Sequence, residues 1–187
     1  MWARFIGILS LLCVASCDML DSQPGLDMEV QGSYLWLNGT VDGGDQWRFR
    51  SVIADNPQLS TVALGVIDGS LSENAVIEMG YALRNAGLNT RMTSRSAVYS
   101  GGVDLFLAGV RRSVEPGAEV GVHSWANGFK TAREYPKDHR KHVPLRRYIN
   151  DMLGSEAFYW FTLDAAPHRS IHLMTRAELL RYRLITN

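Results

Sequence analysis

The sequence predicts an α/β domain in which helices flank a mainly parallel sheet. Residues 61–67 (TVALGVI) are almost all apolar, which is typical of a parallel strand buried on both faces. Segments with strand and helix patterns alternate around this run, and that order favours a parallel sheet with the helices outside it. The chain has 187 residues, of which 46% are hydrophobic. This length and composition are sufficient for one compact core.

The elements of the first half follow from their side-chain patterns. Residues 33–41 alternate bulky and polar side chains, as a strand with one buried face does. A turn at 43–45 then precedes a short helix over 46–54. The helix over 73–85 follows a segment with capping-box spacing and stops before Gly87, which suits the left-handed residue after a helix.

The second half is predicted to contain more helix than strand. We predict a strand over 88–92, a helix over 100–108 and a short strand over 119–122. The polar residues 127–144 are predicted to form a long irregular excursion over the surface. The remaining elements are helices over 145–153 and 155–163, an extended run over 171–174, and a helix over 176–182 capped by Thr175.

The first residues resemble a bacterial lipoprotein signal. A short positive region precedes an apolar run over 5–14 that is too short for a typical membrane span. Small residues stand immediately before Cys17, as in a lipobox, where the signal is cut before the cysteine and the cysteine carries the lipid. An ordinary secretory signal and an uncleaved anchor are the alternatives. The predicted organisation is a signal peptide over 1–16, a lipid-anchored tether over 17–31 and the domain over 32–187.

The use of cysteine agrees with export and membrane attachment. Cys13 lies in the predicted signal, and cleavage before Cys17 leaves a single cysteine that the lipid blocks. Such a protein has no free thiol in an oxidising compartment. Asp18 follows the lipidated cysteine, which favours the periplasmic face of the inner membrane over the outer membrane. A formal net charge of +0 argues against nucleic acid as a partner.

Ser100 and His123 are the candidate catalytic pair. Each follows a predicted strand, and the carboxyl ends of parallel strands meet at the edge of the sheet where such folds bind ligands. The turn at Gly69 follows a third strand and is expected at the same edge. A hydroxyl beside an imidazole and unpaired N–H donors is the arrangement that nucleophilic acyl transfer requires. The structural alternatives are a serine that only caps its helix and a histidine that only completes the core.

With these residues, the chain from about residue 32 onward resembles the Clp protease/crotonase superfamily, and most closely its periplasmic bacterial members. Asp68-Gly69-Ser70 stands where the Clp protease subunit has a Pro-Gly-Gly-Ser turn. Ser100 lies eight residues before the Ala108-Gly109 pair, as the family's nucleophile does. Gly121-Val122-His123 matches the run that carries the family's histidine.

The resemblance implies a serine hydrolase that acts on a peptide or a small acyl substrate at the periplasmic face of the membrane. It implies that Ser100 is the nucleophile, that His123 is the general base and that Asp164 orients His123. It also implies that the backbone N–H groups of Gly69 and Gly101 form the oxyanion hole. A homo-oligomer is implied as well, because members of the superfamily often form trimers or rings.

Three residues depart from the family pattern and favour a second hypothesis. Asp68 places a carboxylate close to the expected oxyanion, Tyr99 is bulky where the family has a small residue, and Asp104 is charged within an apolar helix. The alternative function is therefore a non-catalytic binding module that keeps the Clp/crotonase fold with a degenerate site.

Neither a cofactor nor a metal is expected. The two histidine pairs of the sequence are His139 with His142 and His168 with His172. Zinc requires three or four converging ligands, and the mature chain has no free thiolate to complete such a set.

Overall fold

A sheet of seven strands is the centre of the computed structural model, which describes residues 25–128 and 130–186. The strands are β1 (Asp27–Gln31), β2 (Tyr34–Val41), β3 (Thr61–Ser70), β4 (Asn89–Tyr99), β5 (Arg112–Val114), β6 (Glu119–Val122) and β7 (His172–Leu173). Their spatial order is β1-β2-β3-β4-β6-β7, with β5 beside β4. The pairs from β2 to β6 are parallel, whereas β1 and β7 run antiparallel to their partners. The prediction of an α/β fold with a mainly parallel sheet is confirmed.

Helices surround this sheet, and each predicted helix is present with its ends shifted by a few residues at most. They are α1 (Asp45–Asp55), α2 (Glu73–Asn85), α3 (Gly101–Phe106), α4 (Val143–Leu153), α5 (Ala157–Ala165) and α6 (Arg176–Arg181). The irregular excursion contains two short 3-10 turns, Ala132–Glu134 and Arg140–His142. Thr175 caps α6 by accepting a hydrogen bond from the N–H of Glu178, as predicted.

Helix α2 shows how the local sequence determines an element beside the site. Ser72 caps it by accepting a hydrogen bond from the N–H of Ala75 at 3.2 Å. Val76, Met79 and Leu83 recur at helical spacing and are all buried against the sheet. The amino end of α2 thereby lies close to the end of β3.

The predicted boundary between tether and domain is wrong. Leu26 is only 1% exposed, and β1 pairs with β2 along its whole length. Met28 and Val30 pack against the core while the polar residues between them are exposed, which is the alternation of a half-buried strand. The domain therefore begins by residue 26. The predicted signal peptide over 1–16 and Cys17 lie outside the described residues.

Strand β4 is longer than predicted because an extra loop of backbone interrupts it. Leu64 pairs with Met92, but Val66 pairs with Ala97, so β4 contains three more residues than β3 across this interval. The hydroxyl of Ser96 donates to the carbonyl of Leu64 at 2.6 Å and accepts from the N–H of Thr93 at 2.9 Å. These bonds replace the missing ladder and make the interruption an ordered β-bulge. After the bulge, β4 continues to Tyr99.

Strand β5, which the sequence did not predict, joins the carboxyl-terminal segment to the sheet. It carries Arg112, which is buried although it is charged. The guanidinium donates hydrogen bonds to the carbonyl oxygens of Gly109, Arg183 and Leu184 at 2.7–3.0 Å. Burial lowers the pKa of Arg112 to about 10, and the nearby Arg84 contributes in the same direction.

Candidate active site

A cavity of about 410 Å³ opens at the carboxyl ends of three parallel strands. Strand β3 ends at Ser70, β4 at Tyr99 and β6 at Val122. The polar residues of its wall include Ser70, Glu73, Ser100, Asp104, His123 and Lys141, and the apolar ones include Val76, Trp125 and Leu145. The structure thus places Ser100 and His123 on one cavity, at the edge of the sheet where the sequence predicted them.

Ser100 occupies a backbone conformation that L-residues rarely adopt. Its φ is 51° and its ψ is −123°, at the sharp junction between β4 and α3. Its N–H donates to the carbonyl of Gly121 at 2.9 Å, which ties the junction to β6. Within the described residues its hydroxyl makes no capping hydrogen bond to α3. The fold therefore sustains a strained turn, which costs of order 1–3 kcal/mol, and leaves the hydroxyl available to the cavity.

Gly69 and Gly101 flank Ser100, as the predicted oxyanion hole requires. Gly69 has a φ of 137°, and a Cβ placed on it would lie 3.4 Å from the Cβ of Ser100. A Cβ on Gly101 would lie 2.8 Å from the Cβ of Ser70, closer than real side chains approach. Only glycine allows the end of β3 to lie so close to the nucleophile turn. The two backbone segments that carry the predicted oxyanion donors are therefore in contact.

The orientation of the His123 ring follows from one hydrogen bond. Its Nδ1 lies 2.9 Å from the carbonyl oxygen of Ser124. A carbonyl oxygen only accepts, so Nδ1 carries the proton in the neutral ring and the lone pair is on Nε2. The N–H of Ser124 donates to the carbonyl of Ala166 at 2.9 Å, which fixes this segment against the end of α5. The ring is thus held in the tautomer that a general base requires.

Asp164 does not accompany His123, so the structure corrects its predicted role as the orienting acid. Its carboxylate accepts a hydrogen bond from Arg133 at 3.2 Å, and its side chain is 71% exposed. Leu163, its neighbour on α5, is buried, whereas Asp164 projects from a different side of that helix. The group that bonds to the His123 ring on the Nδ1 side is the Ser124 carbonyl.

Two of the departures from the family pattern lie outside the cavity wall. Asp68 is exposed, and its charge acts on Tyr99, whose hydroxyl donates to Glu119. Neither side chain is among those that line the cavity shared by Ser100 and His123.

Asp104, the third departure, lies in the cavity wall. It lies in the first turn of α3, four residues after Ser100, and both residues line the same cavity. Loss of solvation raises the pKa of Asp104 to about 7, and the charge of Glu73 contributes in the same direction. Loss of solvation likewise raises the pKa of Glu73, and the charge of Lys141 partly offsets this rise. The sequence showed Asp104 only as an irregularity, although the spacing of four was a usable signal for its location.

An aromatic cluster supports the opposite wall of the cavity. The indole N–H of Trp125 donates to the hydroxyl of Tyr159 at 3.0 Å, and that hydroxyl lies 2.6 Å from Nδ1 of His142. His142 is buried and its ring lies against Trp125 and Trp160. His142 therefore anchors the excursion to α5.

The described residues contain no group of three or more His, Cys, Asp and Glu side chains that could hold a metal ion. In the same part of the chain, no helix is both long and apolar enough to span a bilayer.

No protein-family model matches the sequence, and no curated protein matches it either. Solved structures do match. An enoyl-CoA hydratase from Bacillus halodurans superposes with a TM-score of 0.51 at 14% identity, over 86% of this chain and 71% of its own. A membrane-bound stomatin-specific protease in complex with a substrate peptide gives 0.51 at 12% identity, over 82% and 73%.

The chain has the Clp/crotonase fold. The protein DspI from Pseudomonas aeruginosa also shares it, with a TM-score of 0.55, 13% identity and coverage of 90% of this chain and 75% of its own. These identities are so low that the likeness concerns the fold alone. A Clp/crotonase fold supports acyl chemistry of several kinds, so the function has to be argued from the site.

Proposed function

We propose that this protein is a serine hydrolase that cleaves a peptide or another acyl compound through Ser100. The observation that carries the proposal is the strained turn of Ser100, with φ at 51°, on a cavity shared with His123 and in contact with Gly69. A fold retains such a conformation at a cost in stability when the surrounding contacts are arranged around it, and such residues cluster at active sites. The same turn geometry presents a nucleophile in other hydrolases.

In the proposed reaction Ser100 is the nucleophile, and His123 takes up a proton and gives it back in each of two stages. Ser100 Oγ attacks the carbonyl carbon of the substrate while Nε2 of His123 takes the hydroxyl proton. The negative charge that develops on the carbonyl oxygen is met by the N–H groups of Gly69 and Gly101. His123 then gives the proton to the leaving nitrogen or oxygen, and an acyl-serine remains. Water, deprotonated by the same ring, releases the acid and restores Ser100.

The carbonyl of Ser124 would take the place of the acid in this scheme. It fixes the tautomer of His123 through Nδ1 at 2.9 Å, but it carries no full charge to stabilise the imidazolium. A dyad of this kind is expected to be slower than a triad, since replacing the acid by a neutral partner removes a favourable charge interaction.

One observation favours the second candidate, a non-catalytic binding module. Within the described residues no hydrogen bond joins the hydroxyl of Ser100 to the ring of His123, and no carboxylate bonds to that ring. Such a module would use the same cavity to hold a ligand without cleaving it.

A fluorophosphonate probe distinguishes the two candidates. The hydrolase is expected to become covalently labelled, and peptide mapping by mass spectrometry is expected to place the label on Ser100. Ser100→Ala and His123→Gln should abolish labelling because they remove the nucleophile and the base. Ser113→Ala is the matched control, since Ser113 is an exposed serine on β5, and it should label as wild type does.

The proposal fails if folded wild-type protein shows no labelling at any concentration at which a known serine hydrolase is fully modified. It also fails if the label is found on a serine other than Ser100. Unlabelled protein that still binds a peptide would instead support the binding module.

We further propose that the domain works at the periplasmic face of the inner membrane, attached through a lipid on Cys17. The proposal rests on the sequence before residue 25. Metabolic labelling with an alkyne fatty acid should mark the wild type and Cys13→Ala, but not Cys17→Ala. Lipid on the Cys17→Ala protein, or none on the wild type, would contradict the anchor, and fractionation on a density gradient would identify the membrane.

A further inference from the structure

We propose that the cavity binds a positively charged side chain of the substrate, such as a lysyl or arginyl group, through the carboxylate of Asp104. This inference rests on the proposed function, because it names the substrate class that Ser100 would attack. The charge lies one helical turn from the nucleophile and opens into the same cavity.

Asp104 is a half-buried carboxylate without a partner among the described residues. It lines the cavity together with Ser100 and His123, beside residues of α2, of α4 and of the segment after β6. Among the described residues, none forms an ion pair with the carboxylate or donates a hydrogen bond to it. The hydroxyl of Tyr148 donates to the backbone carbonyl of Asp104 at 2.7 Å, which positions the residue without satisfying its charge. A carboxylate that has lost part of its solvation and has no charged partner is stabilised by a cation, and a ligand in the cavity can supply one.

The charge balance of the wall favours a cation over an anion. Glu73 and Asp104 contribute two carboxylates, and Lys141 contributes one ammonium group. The charge of Lys141 acts on Glu73, whereas the charge that acts on Asp104 is that of Glu73, which repels it. A ligand that brings a positive group to Asp104 therefore relieves a repulsion as well as forming a pair.

The shape of the cavity suits a flexible aliphatic chain that ends in a cation. The apolar part of the cavity wall is formed by Val76, Trp125 and Leu145, and methylene groups can pack against it. Helical side chains lean towards the amino end of their helix, and the amino end of α3 is the Ser100 turn. Asp104 and Ser100 line the same cavity, so one substrate side chain can contact Asp104 while its own carbonyl lies at Ser100.

Binding of the cation should depend on pH through the state of Asp104. The titratable groups that face it are Glu73 on α2, Tyr148 on α4, Tyr159 on α5 and His123 after β6. Only the ionised carboxylate attracts a cation, and its pKa is about 7. Affinity should therefore rise with pH up to about 7 and level off above it.

The test measures binding in Ser100→Ala, so that no turnover is needed. The probes are the N-acetyl methylamides of lysine and of norleucine, which have similar side-chain length and differ in charge. Titration calorimetry at pH 8 is expected to show the lysine probe binding about 10- to 100-fold more tightly, the gain of a charge-assisted hydrogen bond. Asp104→Asn in the same background should remove this preference, and Asp138→Asn, at an exposed site, should keep it.

The outcomes separate this inference from the proposed function. Equal affinity for the two probes, or a lysine preference that survives both Asp104→Asn and Asp104→Leu in folded protein, overturns the cation site. If wild type is labelled at Ser100 but shows no lysine preference, the hydrolase stands and the substrate class is wrong. If Asp104-dependent binding occurs without labelling, the cation site stands and the hydrolase fails.

Discussion

The stability of the Asp104→Asn variant relative to wild type should increase as the pH rises. The carboxylate is half-buried in the cavity wall, has no ion-pair partner among the described residues and is repelled by the charge of Glu73. Ionisation of this group therefore costs free energy in the folded state that it does not cost in the unfolded chain. An amide of nearly the same shape cannot ionise and so avoids that cost.

The magnitude follows from the two pKa values. The pKa of Asp104 rises from the ordinary 3.8 to about 7 on folding. One pKa unit corresponds to about 1.4 kcal/mol, so the full cost of ionisation is at most about 4 kcal/mol. Because the folded pKa lies above the unfolded one, the cost is absent below pH ~4, grows between pH ~4 and ~7, and is complete above ~7. Water in the cavity solvates the carboxylate partly, so we expect about 2 kcal/mol.

Urea unfolding at pH 5 and pH 8 measures this effect. The difference in unfolding free energy between Asp104→Asn and wild type should shift in favour of the variant by about 1 kcal/mol from pH 5 to pH 8, because part of the cost is already present at pH 5. Asp138→Asn serves as the control, because Asp138 is exposed and its replacement should give the same small difference at both pH values. A difference for Asp104→Asn that is independent of pH, or that favours wild type at pH 8, would refute the reasoning.

Three further substitutions test the packing around the site. Gly69→Ala puts a side chain at a φ of 137° and should cost about 1–3 kcal/mol in urea unfolding while abolishing probe labelling. Gly43→Ala is the control, because Gly43 has open space around it, and it should change neither stability nor labelling. Equal behaviour of the two variants would contradict the close approach of Gly69 to Ser100. Arg112→Lys removes a guanidinium that donates hydrogen bonds to three carbonyl oxygens, so we expect the free energy of unfolding to fall by about 2–4 kcal/mol in chemical unfolding. A loss below ~0.5 kcal/mol would show that these hydrogen bonds do not hold the carboxyl-terminal segment to β5. Gly80→Ala would overlap the hydroxyl of Tyr148 and should lower the melting temperature by several degrees, about 1–3 kcal/mol of overpacking, whereas an unchanged melting temperature would show that Tyr148 can move.

The sequence was most informative where an element has a strong periodic pattern. Strand β3 and helix α2 were predicted because one is almost wholly apolar and the other has an apolar stripe with a capping serine. Ser100 and His123 were placed correctly for a topological reason. Each follows a parallel strand, and the carboxyl ends of such strands lie at one edge whatever their exact pairing.

The errors arose where a pattern depends on contacts that are distant in the sequence. The sequence predicts a tether where β1 lies, because the acidic residues of β1 mask a short alternation that becomes evident only when β2 pairs with it. The resemblance assigns a role to Asp164 from its place in the chain order, but the buried face of α5 turns it outwards to Arg133. In the sequence Asp104 is only an irregularity, because its lack of a partner depends on three surrounding elements.

The bulge in β4 decides which residue stands beside Gly69. Before the bulge β4 is in one register with β3, and after it the offset between paired residues is larger by three. In the register before the bulge Gly69 would face Ala97, whose side chain has no hydroxyl group. In the register after the bulge Gly69 faces Ser100. The composition of the proposed site is therefore set by a shift in alignment between two strands as much as by residue identity. A short deletion within 93–95 would remove Ser100 from Gly69 while both residues remained in the sequence.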